Sequence, residues 1–198
     1  MNFLAHLYLS GNDPKVMVGN FIGDFVKGRQ AVTRFEAGIA RGIALHRAID
    51  EFTDNHALVQ QSKNRLRPKY RHYSGVIVDM FYDHFLARNW HQFHEEMLPD
   101  FADRSYHLLQ QHEPVLPQEV NWMLPYMIKG NWLVNYARVE GVHRALSGMA
   151  RRTPYESKMD EATADLREHY DFFEHEFLTF FPHLKSFADN YIQTFTSN

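Results

Sequence analysis

The chain has 198 residues, a formal net charge of −3, 44% apolar residues and no cysteine. This length suffices to bury one core, so we expect a single domain over residues 1–198. Without cysteine there are no disulfides or thiolate zinc sites, and any metal must bind to histidine, carboxylate or carbonyl groups. The weakly acidic charge argues against nucleic-acid binding.

No apolar run approaches the ~20 residues that span a bilayer, and the N-terminal segment lacks the cationic start of a signal peptide. The absence of cysteine also suits a reducing compartment. We therefore expect a cytoplasmic protein that does not contact membranes.

Apolar residues recur with helical spacing along almost the whole chain, and no stretch alternates as a half-buried strand does. After a short apolar segment at 2–9, we predict helices over residues 14–27, 33–53, 56–67, 73–93, 99–112, 118–129, 131–149, from about 155 to 180, and after 182. Thr33 is the predicted N-cap of the second, with Glu36 three residues later. Pro68 and Pro182 are predicted to interrupt helices, and Gly130 to separate two. The sequence predicts an all-α, single-domain helical bundle.

Three stretches place two ligand-type residues four apart among apolar neighbours, and such residues stack on one face of a helix. The pairs are Asn20 with Asp24, His46 with Asp50, and Asp79 with Asp83. Polar stripes at positions where a core is expected indicate helices that direct carboxylates and imidazoles toward a shared metal.

His46 and Asp50 share their helix face with apolar residues. A buried carboxylate without a partner costs several kcal/mol, so Asp50 needs a cation, a donor or a metal. The alternative is a half-exposed structural His–Asp pair.

The helix near 76–90 is almost wholly apolar in its first half, which predicts burial on most sides. Asp79 and Asp83 would then repel each other unless a cation lies between them. His84 follows directly. The alternative is that these acids form ion pairs with arginines such as Arg47.

Oxygen and imidazole donors from separate helices suit Mn²⁺, Mg²⁺ or Fe²⁺ better than a tetrahedral zinc site. Such an ion activates water and neutralises phosphoryl charge, which indicates metal-assisted phosphoester hydrolysis. The chain lacks a P-loop, a G-x-S-x-G motif and a dinucleotide fingerprint.

Five ordered motifs resemble the acyl carrier protein phosphodiesterase family: MNFLAHLYLSG, GNFIGDFVKG, HRAIDEFTDNH, VDMFYDHFLARNW and LSGMARR. The resemblance implies an all-helical relative of the HD-domain metal phosphohydrolases, with a role in fatty acid biosynthesis and lipid metabolism. Such an enzyme would cleave 4'-phosphopantetheine from holo-acyl carrier protein and leave apo-acyl carrier protein. HD enzymes carry an adjacent His–Asp pair, whereas this chain has Asp83-His84.

The resemblance and the helical stripes together predict a divalent metal site, with Mn²⁺ preferred over Mg²⁺ or Fe²⁺. The predicted metal ligands are Asp24, His46, Asp50, Asp83 and Asp79. The predicted catalytic residues are His84, His6 and Arg47, of which the arginine would hold a phosphate oxygen.

A basic stretch completes the prediction. Residues 57–78 contain no acid, and four of their cations could steer an acidic carrier protein to the site. These are Arg65, Arg67, Lys69 and Arg71. The alternative is an ordinary solvated face.

Two other functions fit the same sequence. A metal phosphohydrolase of nucleotides or small phosphodiesters would keep the ligands and have no use for the basic stretch. A helical module that binds the carrier protein without cleaving it would show no metal dependence.

Overall fold

The computed structural model describes residues 1–28 and 32–195, and in these residues it contains helices and turns but no strand. The predicted all-α class is therefore confirmed. The α-helices are α1 (Phe3–Tyr8), α2 (Pro14–Ile22), α3 (Ala37–Asn55), α4 (Ala57–Tyr70), α5 (Ser74–Arg88), α6 (Leu98–Gln111), α7 (Gln118–Lys129), α8 (Trp132–Asn135), α9 (Val139–Arg152), α10 (Ala162–Glu168) and α11 (Tyr170–Gln193). None of them combines the length and apolarity needed to cross a membrane.

The helix α5 lies at the centre of the bundle and packs against α1, α4, α9 and α11. Its buried residues point in all directions around the helix, as the apolar first half of its sequence predicts. The long helix α11 covers it with four buried phenylalanines: Phe173, Phe177, Phe180 and Phe181.

The closest helix pair is α2 against α3, and glycine makes this approach possible. A Cβ atom on Gly19 would overlap the carbonyl oxygen of Ile39, and one on Gly42 would overlap that of Val16. These glycines lower helix propensity locally, and the close packing between the two backbones compensates for that loss.

Several predicted helix bounds near the N-terminal half are wrong. The helix α2 ends at Ile22, and a 3₁₀ turn over Gly23–Phe25 follows it, so Asp24 does not continue the helix of Asn20. The next helix begins at Ala37, and no side chain caps it; Glu36 instead accepts a hydrogen bond from Lys15. The helix predicted over 73–93 ends at Arg88.

Proline and loop predictions in the second half also fail in part. Pro68 and Pro182 lie inside α4 and α11. Proline in a helix interior costs about 3 kcal/mol, and the burial of Phe180 and Phe181 before Pro182 and of Leu184 and Ala188 after it offsets this cost. The predicted helix over 131–149 is divided into α8 and α9, and the one predicted from about 155 begins only at Ala162 and breaks at His169. Gly130 separates α7 from α8 as predicted.

Candidate metal centre

Three of the predicted residues meet at the crossing of α1, α2 and α3. One donor atom each from His6, His46 and Asp50 lies within 4.8 Å of the others. Asp50 bridges the two rings: its Oδ1 lies 3.2 Å from His6 Nε2 and its Oδ2 lies 3.1 Å from His46 Nε2. Asp24 joins from the 3₁₀ turn, with its Oδ1 3.2 Å from His46 Nε2.

Asn20 fixes the orientation of both rings. Its Nδ2 donates to the carbonyl oxygen of His6 at 2.7 Å and to Ser10 Oγ at 2.9 Å, which identifies Oδ1 as the acceptor. That oxygen lies 2.8 Å from His6 Nδ1, and the backbone oxygen of Asn20 lies 2.7 Å from His46 Nδ1. Both histidines must therefore carry a proton on Nδ1, so in the neutral ring the lone pair is on Nε2.

Neighbouring packing keeps the rings in place. The two imidazoles stack with centroids 3.9 Å apart. A Cβ atom on Gly23 would overlap the ring of His46, so only glycine fits at the start of the 3₁₀ turn. The local sequence Gly23-Asp24 thus brings a carboxylate next to a buried ring.

The electrostatics of the cluster favour one additional proton, which His46 carries on Nε2 while His6 stays neutral. Burial lowers the pKa of His46, but hydrogen bonds to Asp24 and Asp50 outweigh it and raise the pKa to about 9. Burial and the adjacent charge of His46 lower the pKa of His6. Burial raises the pKa of Asp50, yet hydrogen bonds from both histidines leave it well below its usual range. The hydrogen bond from His46 lowers the pKa of Asp24.

These residues fit a divalent metal. His6 Nε2 is buried and makes no well-aligned hydrogen bond, although Asp50 lies beside it. Once His46 has lost its Nε2 proton, the two Nε2 atoms and the carboxylates of Asp50 and Asp24 form a donor set suited to Mn²⁺ or Fe²⁺. The side chain of Asp24 is 68% exposed, so the cluster is open to solvent on that side.

Asp79 reaches this cluster only indirectly. The buried amino group of Met1 lies 3.0 Å from Asp79 Oδ1 and 3.5 Å from Asp50 Oδ1. The amino group therefore lies between the two acids, and it supplies the positive charge that like-charged neighbours require.

Asp83 lies elsewhere, contrary to the predicted ligand set. Its oxygens accept backbone N–H groups of Asn2, Leu4 and Ala5 at 2.8–3.3 Å, so it caps the first turn of α1 from the central helix. The side chain is fully buried. Burial raises its pKa to about 7, although the three donors favour the carboxylate.

His84 is also separate from the cluster. Its Nδ1 donates to the carbonyl oxygen of Tyr136 at 2.7 Å, and its Nε2 lies 2.9 Å from Tyr170 Oη. Burial lowers its pKa. With a partner on each ring nitrogen, His84 connects three parts of the bundle.

Arg47 lies next to the cluster. Its Nη2 donates to the carbonyl oxygens of Val26 and Gly28 at 2.9 and 3.2 Å. The arginine thereby attaches α3 to the segment that follows Asp24, and its side chain remains part-exposed.

The basic stretch is partly neutralised. Arg65 forms an ion pair with Glu176 at 3.0 Å, and Lys69 pairs with Glu161 and Asp165. Arg67 and Arg71 are exposed and have no acidic partner within residues 1–28 and 32–195.

The sequence prediction did not assign a role to Asn20, which contacts both rings. The available signal was its position four residues before Asp24 in an otherwise apolar stretch. The side-chain oxygen of Asn20 orients His6 and its backbone oxygen orients His46. Residue type can indicate the first contact but not the second, because every residue has a backbone oxygen.

The family model described as acyl carrier protein phosphodiesterase matches residues 1–184. Relatives with that name occur in Photorhabdus laumondii subsp. laumondii, at 33% identity over 96% of each chain, and in Klebsiella pneumoniae, at 35% identity over 96% of this chain and 98% of the relative. One from an Enterobacter species is 34% identical, with the same coverage as the Klebsiella protein.

No solved structure matches the chain. The sequence comparisons extend over the whole cluster, from His6 through Asp50, and well beyond it. On this ground the chain belongs to the acyl carrier protein phosphodiesterase family.

Proposed function

We propose that this protein is a divalent-metal-dependent phosphodiesterase that hydrolyses holo-acyl carrier protein to apo-acyl carrier protein and 4'-phosphopantetheine. The observation that carries the proposal is the convergence of His6 Nε2, His46 Nε2 and Asp50, with Asp24 beside them. Family membership supports the substrate, since the relatives named above are acyl carrier protein phosphodiesterases.

The proposed ligands are His6, His46, Asp50 and Asp24, with Mn²⁺ as the preferred ion. When bound, such an ion supplies Lewis-acid activation of water and neutralises charge on the phosphoryl oxygens. Asn20 holds both Nδ1–H groups, which fixes the rings and increases their basicity at Nε2.

Arg47 is the proposed contact for a non-bridging phosphate oxygen, because a guanidinium matches phosphate geometry and this residue follows His46 and bonds to the segment after Asp24. Neither ring of the cluster carries a proton on Nε2 once that nitrogen is a ligand. The proton taken up by the departing serine oxygen then comes from solvent, which reaches the open side of the cluster at Asp24.

A carrier-protein contact at Arg67 and Arg71 remains part of the proposal, with Arg65 and Lys69 contributing less because acids already pair with them. The relation to the HD-domain phosphohydrolases and the cytoplasmic location stay predictions.

Mass spectrometry of holo-acyl carrier protein tests the proposal directly. The purified chain with Mn²⁺ should remove the mass of phosphopantetheine, and a chelator should prevent the loss. Turnover of nucleotides with an intact carrier protein would favour a different phosphohydrolase. Binding of the carrier protein without any mass change would favour a non-catalytic module.

A further inference from the structure

Two large aromatic side chains lie exposed on one side of α7. Trp122 is 64% exposed and Tyr126 is 71% exposed. The opposite side of the helix packs into the core through Val120, Leu124 and Met127. Residues four apart are neighbours on a helix surface, so the two rings form one apolar patch, and patches of this kind mark interaction sites.

An acid and a base flank this patch. Glu119 lies in the first turn of α7 and Lys129 in the last, and both are exposed. At about 100° per residue, the two charged and the two aromatic residues fall within about 80° around the helix axis. In the part of the chain that the structure describes, neither charge forms an ion pair. We refer to Glu119, Trp122, Tyr126 and Lys129 together as the outer face of α7.

The outer face of α7 is complementary to itself. Trp122 and Tyr126 lie two residues on either side of Leu124, and Glu119 and Lys129 lie five residues on either side. If two copies of the helix pack antiparallel about a two-fold axis at the level of Leu124, Trp122 of each copy faces Tyr126 of the other. Glu119 then faces Lys129, and both contacts occur twice. A shallow crossing angle of about 20° keeps most of the helix length, about 18 Å, in contact.

We propose that the outer face of α7 binds the same face of a second copy of this chain, with the two helices antiparallel. The charges favour this occupant over others, because one acid and one base leave the face without net charge. Such a face does not attract an acidic carrier protein or an anionic membrane, whereas it pairs both of its charges with those of a second copy. The proposal does not depend on the proposed function.

The size of the contact sets the strength of the dimer. The four aromatic rings bury roughly 600 Å² and the flanking side chains add to this area, which places the contact among the weak interfaces below about 1,200 Å². We therefore expect a dimer that dissociates on dilution, with a dissociation constant of about 10–100 µM.

Sedimentation velocity tests the apolar part of the contact. The unchanged protein is measured from about 1 µM to about 300 µM, a range that brackets an association of this strength. Tyr126→Ala should raise the dissociation constant at least ~10-fold, since the two-fold axis removes the ring from both sides of the contact. Tyr155, which is 75% exposed between α9 and α10, supplies the matched control, and Tyr155→Ala should leave the dimer unchanged.

Charge reversal tests the antiparallel arrangement. Glu119→Lys places two bases opposite each other and Lys129→Glu places two acids opposite each other, so each variant alone should associate at least ~10-fold more weakly. An equimolar mixture of the two variants should associate again, because every base then faces an acid. Glu51→Lys reverses an exposed acid on α3 and should have no effect.

The mixture also separates the proposal from misfolding, since a misfolded variant would not regain its partner. Two singly reversed variants that fold but do not associate when mixed would overturn the antiparallel pairing. An unchanged protein that stays monomeric at every concentration would overturn the dimer. Binding of holo-acyl carrier protein or of phosphatidylglycerol vesicles that Tyr126→Ala weakens in a monomeric chain would assign the face to that partner instead.

Discussion

Two polar clusters arise from the same sequence pattern and differ in what their atoms already contact. In the cluster of His6, His46, Asp50 and Asp24, both Nδ1–H groups donate to Asn20 and the Nε2 atoms face carboxylates, with one Nε2 lacking a well-aligned hydrogen bond. At Asp83 and His84, each carboxylate oxygen and ring nitrogen has a neutral partner, most of them backbone groups.

The difference teaches how to distinguish a ligand from a structural polar residue. A ligand set brings carboxylates and imidazole nitrogens together without a permanent cation, and here a proton on His46 takes that place until a metal ion binds. A structural set satisfies each group within the fold and gains little from an ion. We therefore expect changes in the first cluster to affect metal binding and those in the second to affect the free energy of unfolding.

The largest expected effect comes from Asp50, which contacts both histidine rings, and from His46, which contacts both Asp50 and Asp24. Asp50→Ala and His46→Ala should each lower hydrolysis of holo-acyl carrier protein on the order of 1,000-fold, because each removes a proposed ligand of the ion that would stabilise developing charge. Calorimetry should show loss of tight Mn²⁺ binding. If either variant binds Mn²⁺ as the unchanged protein does, the proposed ligand set is wrong.

Asn20 should have the next largest effect. Asn20→Ala removes the acceptor that orients His6, and changes of this kind lower metal affinity roughly 10–100-fold. The ring of His46 keeps its backbone acceptor, so binding should weaken but remain. Ser10→Ala, which removes only a neighbour of Asn20, is the control and should change the Mn²⁺ affinity far less.

The pH dependence of metal binding sharpens the comparison. In the metal-free protein His46 holds a proton up to about pH 9, while Asp24 and Asp50 are already ionised and His6 is neutral. The ion must displace that one proton, so Mn²⁺ affinity should rise about tenfold per pH unit between pH 7 and 9. Calorimetry in buffers of different ionisation enthalpy should detect release of about one proton; no release would contradict this protonation state.

The smallest effect on metal binding is expected at the second cluster. Asp83→Asn and His84→Ala should each lower the free energy of unfolding by about 1–3 kcal/mol, since each leaves buried groups without partners. Urea unfolding measures the loss, and calorimetry should show an Mn²⁺ stoichiometry equal to that of the unchanged protein. A lost metal site with unchanged stability would assign Asp83 or His84 to the centre after all.

The sequence by itself determined the helical class and the separation of two helices at Gly130, and it singled out His6, Asp24, His46 and Asp50, which the fold brings together. Helical periodicity and the four-residue spacing are local properties, so His46 and Asp50 could be placed on one face without further knowledge.

Only the tertiary structure decided which acids join the histidines. Asp50 and Asp83 both lie on helix faces among apolar residues, and the sequence cannot show that α1 presents its free N–H groups to Asp83. It also cannot show that Pro182 lies within a helix, since the packing of buried apolar residues before and after the proline outweighs a local cost. Partners distant in sequence fix these outcomes, because a carboxylate binds whichever donor or cation the fold brings to it.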